Sequence, residues 1–498
     1  MDLYVNQDIL SYLDIDSLVI VKRIYSFWNI KPFSLSLHKK EVSISSFKYY
    51  ELQSYQFGLI GSRRLVSNLR NHELDFALYG ACHGRHLDLI KFLFSLGASQ
   101  IKRGFLDACT GGDIECVKYL IEKGGCSWNR GLEIACQCGY TDIVDLMCLK
   151  GATRIIDGFR CACYGGQYDI VIKLVNENKL ENSSDKQFIL NSGLDNACEC
   201  FPENITDKRI KLIYWLLEHN ANPTCGLRCV SKLGNLQILR ILLNAIGKPN
   251  PEIIPKINDS LSCVCIYNKN YHMIKELIEF GATNLNECLE ISSEVAEPNV
   301  IELLVKSGAT NLNECMLSAC SLSKVENVKI LLQNGANNFN EALVIACAEA
   351  NIECVNLLLE HQIDDLNTAL LFACSWISHI DNRCEIIKIL LQRGANNIDA
   401  CFPILLDTGN IECMKILIQK KIEALNKLID TTNDDRLMEQ YIHEYFEMLH
   451  NIGLCIKNYN CLTESLMIFL MQNLTISPKV NDTIFARILR KIIDIIKC

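Results

Sequence analysis

Twenty-seven cysteines in a chain of 498 residues raise the question of metal or thiol chemistry first. Cys-x-Cys pairs stand at 136/138, 161/163, 198/200 and 263/265. Zinc sites use Cys-x₂₋₄-Cys spacing and a second pair of ligands, so these pairs are poor candidates. Cys82, His83 and His86 bring three possible metal donors together. Gly111-Gly112 and Gly165-Gly166 could form anion-binding turns but lack the lysine of a phosphate loop. No nucleophile and base stand at a spacing that would pair them. Trp128 and Trp376 are candidate binding anchors, since tryptophan is enriched at interface hot spots; local packing is the competing role. The expectation is a non-enzyme with no catalytic residues, no cofactor and no metal.

The elements that hold these residues are repeats. Leu-x-x-Ala-Cys occurs at Leu78 to Cys82, Leu132 to Cys136, Leu194 to Cys198, Leu343 to Cys347 and Leu370 to Cys374. A second phrase closes on Gly97-Ala98, Gly151-Ala152, Gly281-Ala282, Gly308-Ala309, Gly335-Ala336 and Gly394-Ala395. Ala81, Ala108, Ala135 and Ala162 stand 27 residues apart, as do Ala282, Ala309, Ala336 and Ile363. The interval divides into 16 residues from alanine to turn (Ala319 to Gly335) and 11 from turn to the next alanine (Gly335 to Ala346).

Each interval reads as two short helices. In residues 341–362, Leu343 and Ala346 share a face of the first helix. Ile352, Val355, Leu358 and Leu359 form an apolar stripe on the second, with Glu353 and Asn356 outward. Gly335 sits where a helix ends in a left-handed residue, which glycine adopts without a Cβ clash. One such pair cannot bury its own apolar face, so the pairs must stack into a solenoid. The fold class is all-α. Twelve pairs centre on Ala81, Ala108, Ala135, Ala162, Ala197, Val230, Val264, Ser292, Ala319, Ala346, Ala373 and Leu405. The period fails at residues 179–192, 200–208, 248–256 and 375–382, and insertions into repeats map to loops, often on the binding face. The expected organisation is 1–30, a separate segment; 31–73, a helical linker or cap; 74–430, the repeats; and 431–498, a degenerate repeat with capping helices that include Ile484 to Ile496.

This pattern resembles the ankyrin family over roughly residues 74–430. Ala81 to Leu93 resembles its helix–turn–helix core, and Gly-Ala-Asn at 335–337 and 394–396 its turn. The Ile-, Asn- and Lys-rich style resembles ankyrin proteins of large amoeba-infecting DNA viruses. An ankyrin repeat normally has about 33 residues. The six missing here all fall in the 11-residue connection, where the family carries a β-hairpin and a Thr-Pro-Leu-His start. The resemblance implies protein binding, with the hairpins reduced to tight loops. Binding would then use first-helix faces and insertions. It also puts His86 at a polar turn position and one cysteine of each Cys-x-Cys pair beside the core alanine. Both observations favour packing over metal binding.

Residues 8–28 resemble the latter part of an F-box: Ile9-Leu10-Ser11-Tyr12-Leu13-Asp14, then Leu18, Val19, Val21, Ile24 and Trp28 at matching spacing. The opening Leu-Pro of that motif is absent. The resemblance implies a Skp-type adaptor as partner, contacted by Leu13, Leu18, Val21, Ile24 and Trp28, and a role as substrate receptor of a cullin-RING ubiquitin ligase. The competing reading of the same residues is an amphipathic capping helix.

Composition sets outer bounds. A formal charge of −9 argues against binding nucleic acid through overall positive charge. Arg487, Arg490 and Lys491 read as one side of an exposed helix. The chain has no secretory pattern at its start and no apolar run of about 18 residues to span a bilayer. An odd, scattered set of cysteines suits a reducing compartment with buried thiols. The expectation is a monomer in the host cytoplasm, with protein partners and neither membrane nor nucleic acid.

Overall fold

The architecture is a run of antiparallel helix pairs. The structure, a computed structural model, describes residues 49–444 apart from 68, 179–184, 296, 377, 432–435, 438–439 and 442. The chain divides into two compact units, Met1–Gly247 and Lys248–Cys498. Among the described residues there is no strand, so the short connections contain no β-hairpin.

In the first unit, six pairs are Asn71–His83 with Leu87–Leu96, Ile101–Gly111 with Ile114–Glu122, Trp128–Cys138 with Thr141–Leu149, Ile155–Gly165 with Tyr168–Asn178, Lys186–Cys198 with Asp207–Glu218, and Leu227–Leu233 with Leu236–Ile246. Tyr49–Ile60 and the short Arg63–Val66 precede them. Ser54 lies one period (27 residues) before Ala81 and is buried, as is Val66, one period before Leu93. Residues 49–66 therefore form a shortened pair ahead of the first full one. Its helix meets the next at backbone distance: a Cβ on Gly58 would lie 1.9 Å from the Ala77 carbonyl oxygen, and one on Gly80 1.9 Å from that of Tyr55.

In the second unit the pairs are Ile254–Cys263 with Tyr271–Phe280, Leu285–Val295 with Pro298–Lys306, Leu312–Ser321 with Val325–Gln333, Phe339–Ala348 with Ile352–Leu358, Leu366–Ala373 with Ile380–Gln392, and Ile398–Thr408 with Ile411–Thr431. The first of these helices continues as a π-helical turn, Val264–Asn268. A π turn takes up one extra residue in a helix. Val264 to Gly281 accordingly counts 17 residues where Ala319 to Gly335 counts 16.

Local chemistry explains each pair. Several second helices start on side-chain caps: Asp113 accepts from the Glu115 and Cys116 N–H groups, and Asn351 from Cys354, supplying partners that the helix cannot. They end on a left-handed glycine such as Gly335 (φ 106°), with the Ala336 N–H returning to the Leu331 carbonyl and the Gly335 N–H to Leu332. A Cβ on Gly335 would meet nothing within 4 Å, so glycine is needed there for its backbone angle alone. The second-helix stripe differs from the sequence reading by one residue. Cys354, Val355, Leu358 and Leu359 are buried, while Ile352, at the helix start, is only half-buried.

Insertions 200–208 and 375–382 occur at the same place, between the two helices of a pair, and each is followed by a buried arginine. Arg209 donates to the carbonyls of Ala197 (2.9 Å) and Tyr164 (2.7 Å). Arg383, 1% exposed, donates to Ser378, Ala373, Cys347 and Ala348. These carbonyls belong mainly to the ends of two successive first helices, where acceptors lack intrahelical donors and the helix dipole favours a cation. Replacing Arg383 with methionine would take this donor from the Ser378, Ala373 and Ala348 carbonyls, while that of Cys347 keeps the Ala350 N–H. Arg383→Met should destabilise the second unit by about 3 kcal/mol, read as a lower urea midpoint by circular dichroism.

Candidate protein-binding surface

Successive first helices touch along columns of small residues. The alanine position is one column. Four residues earlier a second column reads Ala77, Gly104, Gly131, Gly158, Gly193, Gly226, then Ser260, Cys288, Cys315, Ala342, Ala369 and Cys401. Cysteine one residue after the alanine faces the next small residue: a Cβ on Gly158 would lie 3.3 Å from Cys136 Sγ. The thiols are thus packing groups. Burial pushes the Cys109 thiol up to about 12, which suppresses the reactive thiolate.

Six residues before the alanine position is a column that sequence reasoning missed. The side-chain oxygen there reaches forward to the backbone after the next Gly-Ala turn. Asn313 Oδ1 accepts from the N–H groups of Asn337 (2.8 Å) and Asn338 (3.2 Å). Asn340 serves Asp364 and Asp365, and Asn367 serves Asn396 and Asn397. Asn258 and Asn286 bind the Thr283 and Thr310 N–H groups. In the first unit Asp75, Asn129 and Asn191 do the same for Ser99, Thr153 and Asn222. In eight of the twelve repeats one side chain therefore fixes the connection in place of a hairpin. The signal was visible as the recurrence of asparagine from Asn286 to Asn367 at 27-residue spacing, at the start of successive first helices.

The outward surface of the second unit carries a further register. Three residues after the alanine position stand Tyr267, Val295, Leu322 and Trp376, all exposed, with Glu349 and Thr408 in the two remaining slots. Trp376 is the most exposed of the four, at 60%. It lies in insertion 375–382, with Phe372 and Ile380 exposed on either side in sequence. Aromatic and aliphatic groups repeated on one edge form an apolar stripe of the kind that marks protein contact. Of these residues only Trp376 was singled out from sequence. The other three read as ordinary turn residues when each repeat is taken alone.

The remaining sequence candidates fall as follows. Trp128 is half-buried, its ring edge-on to Phe105 at 6.0 Å between centroids. His86 bonds through Nε2 to the Leu59 carbonyl at 2.9 Å, and His83 stacks edge-on to Tyr55. Cys82 is buried, and the three are not brought together as a ligand set. Leu13, Leu18, Val21, Ile24 and Trp28 lie outside the described residues, as does Ile484 to Ile496. No helix among the described residues is long and apolar enough to cross a membrane.

A family model described as ankyrin repeats (3 copies) matches residues 315–401. This stretch of the chain carries ankyrin repeats. It includes Leu322, Trp376 and the asparagines at 340 and 367. A comparison with curated proteins finds no match.

One buried carboxyl gives the stability of the first unit a pH dependence. Asp107, beside Ala108, is 8% exposed and paired with Arg103 Nε at 3.1 Å; Tyr55, Tyr79 and Cys82 also face it. Burial raises its carboxyl from the ordinary 3.8 to about 6, against the pull of Arg103. The folded state then holds this proton more tightly than the unfolded chain, so stability falls as pH rises from about 4 to about 6. Asp107→Asn should remove that fall and stabilise the first unit at pH 7 by roughly 2 kcal/mol, measured as urea midpoints at pH 4 and pH 7.

Proposed function

We propose that this chain is a protein-binding scaffold whose second unit holds a partner along the apolar stripe ending at Trp376. The carrying observation is the ankyrin-repeat match over residues 315–401, an architecture that serves protein recognition through side chains on stacked repeats. The stripe adds a location: Tyr267, Val295, Leu322 and Trp376 repeat at one position of the repeat. Trp376 is the anchor, because a large exposed aromatic flanked by apolar residues is the usual source of interface energy. Trp128, packed on Phe105, belongs to the helix interface instead. Partner capture from cell extract, followed by mass spectrometry, identifies the target. Trp376→Ala should then weaken the purified complex by at least tenfold without lowering thermal stability. Unchanged affinity would place the contact elsewhere.

A finer reading rests on the resemblance of residues 8–28 to an F-box. In it, Leu13, Leu18, Val21, Ile24 and Trp28 engage a Skp-type adaptor, and the repeats present a target to a cullin-RING ubiquitin ligase. The viral style of the repeats suits a target in the host cell. The plain alternative is a scaffold or decoy that masks a host protein without ligase recruitment. Co-purification with the adaptor separates the two. Loss of adaptor on deletion of residues 1–30, with target binding intact, supports the ligase reading. An adaptor that never co-purifies, or that survives the deletion, leaves the masking scaffold.

A further inference from the structure

The seams between successive pairs in the first unit are of two kinds. Where the first pair meets the second, Asp75 Oδ1 accepts from the N–H groups of Ser99 (2.7 Å) and Gln100 (3.1 Å). At the other end of the same seam a Cβ on Gly111 would lie 2.6 Å from the His83 carbonyl oxygen, and Arg85 Nε donates to the Gly111 carbonyl. The third and fourth pairs meet in the same way. Asn129 Oδ1 accepts from Thr153 (2.7 Å) and Arg154 (3.1 Å), and a Cβ on Gly165 would lie 2.0 Å from the Gln137 carbonyl oxygen. Each seam is fixed by directional bonds at one end and by backbone contact at the other.

Between the second and third pairs both devices are missing. The position of the amide is taken by exposed Lys102, and among the described residues no acceptor faces the N–H of Cys126 or Ser127. Cys138 stands where Gly111 and Gly165 stand in the neighbouring repeats. Phe105 fills the gap instead. It takes the place held by Leu78 and Leu132, reaches within 3.1 Å of where a Gly131 Cβ would be, and meets the Trp128 ring edge-on. The fourth pair repeats the substitution, with Ile156 at the amide position and Phe159 against Gly193. A ring packed on glycine contributes burial but no direction, so it resists separation without fixing register.

We infer that the first unit is built from rigid dyads of two helix pairs, 54 residues long, and that the Phe105 seam between the second and third pairs is its hinge. The first dyad runs from Asp75 to the end of Ile114–Glu122 and the second from Asn129 to the end of Tyr168–Asn178. Bending at the seam lets phenyl slide over glycine and strains one exposed side-chain bond, Arg85 Nη2 to the Tyr140 hydroxyl at 3.2 Å. At each flanking seam it would break at least three.

Buried thiols report the seams one by one. Cys82 faces the first seam through Gly104, and Cys136 the third through Gly158. Cys109 holds the same place at the Phe105 seam, and all three are fully buried. Native-state labelling of the full chain with a thiol reagent, read by peptide mass spectrometry, should modify Cys109 at least about tenfold faster than Cys82 and Cys136. Lys102→Asn supplies the missing acceptor and should slow Cys109 by about tenfold, the worth of one to two hydrogen bonds, without changing the others. Asn129→Ala should bring Cys136 up to the rate of Cys109. Labelling of Cys109 at or below the rates of Cys82 and Cys136 in the unaltered chain overturns the hinge, whatever the variants do.

Discussion

A helix pair of this size leaves one apolar face uncovered, and the whole architecture follows from how closely the next pair can be pressed onto it. The approach is set by residues with little or no side chain. Glycine, alanine, serine or cysteine recurs four residues before the alanine position, so the backbones of neighbouring first helices come within van der Waals contact. Leucine or phenylalanine between the two small columns then fills the remaining space. The amide six residues before the alanine fixes direction, because it bonds two backbone donors that a short connection would otherwise leave to water. Spacing comes from absent side chains, register from a present one.

Departures from the period are repaired where they occur. The two insertions between helices of a pair would expose the ends of adjoining first helices, and Arg209 and Arg383 plug those ends with guanidinium groups. The one extra residue near Val264 is absorbed by a π turn. The array therefore tolerates irregular segments without losing the stacking around them, and the insertion at 375–382 can carry an exposed tryptophan while Arg383 holds its base. An exposed anchor on a rigid support keeps the ordering cost of binding low.

Much of this was legible in the sequence. The division of 27 into 16 and 11 fixed the helix pairs and placed the loss in the connection, because left-handed glycine and small core residues leave strong periodic marks. The asparagines were not singled out: their partners lie 24 residues on, beyond the reach of any local pattern. Arg209 and Arg383 look like surface residues, since only the fold reveals which carbonyls lack donors. Ile352 was taken as buried and Cys354 passed over because hydrophobicity was weighed above position; at a helix start the apolar residue still lies at the edge. The exposed stripe needed the repeats to be aligned, as Val295 and Leu322 mean little singly.

The cropped connection has a consequence for how this chain can be recognised at all. A hairpin offers a row of unpaired main-chain groups on which another strand can grow, which is a route both to partner capture and to uncontrolled self-association. Among the described residues this chain has no such edge, and most of its backbone donors and acceptors are taken up by helices, by caps and by the asparagine amides. Whatever binds the described repeats must read side chains. The described repeats, stacked hydrophobic helices throughout, thereby avoid the templating that extended segments invite.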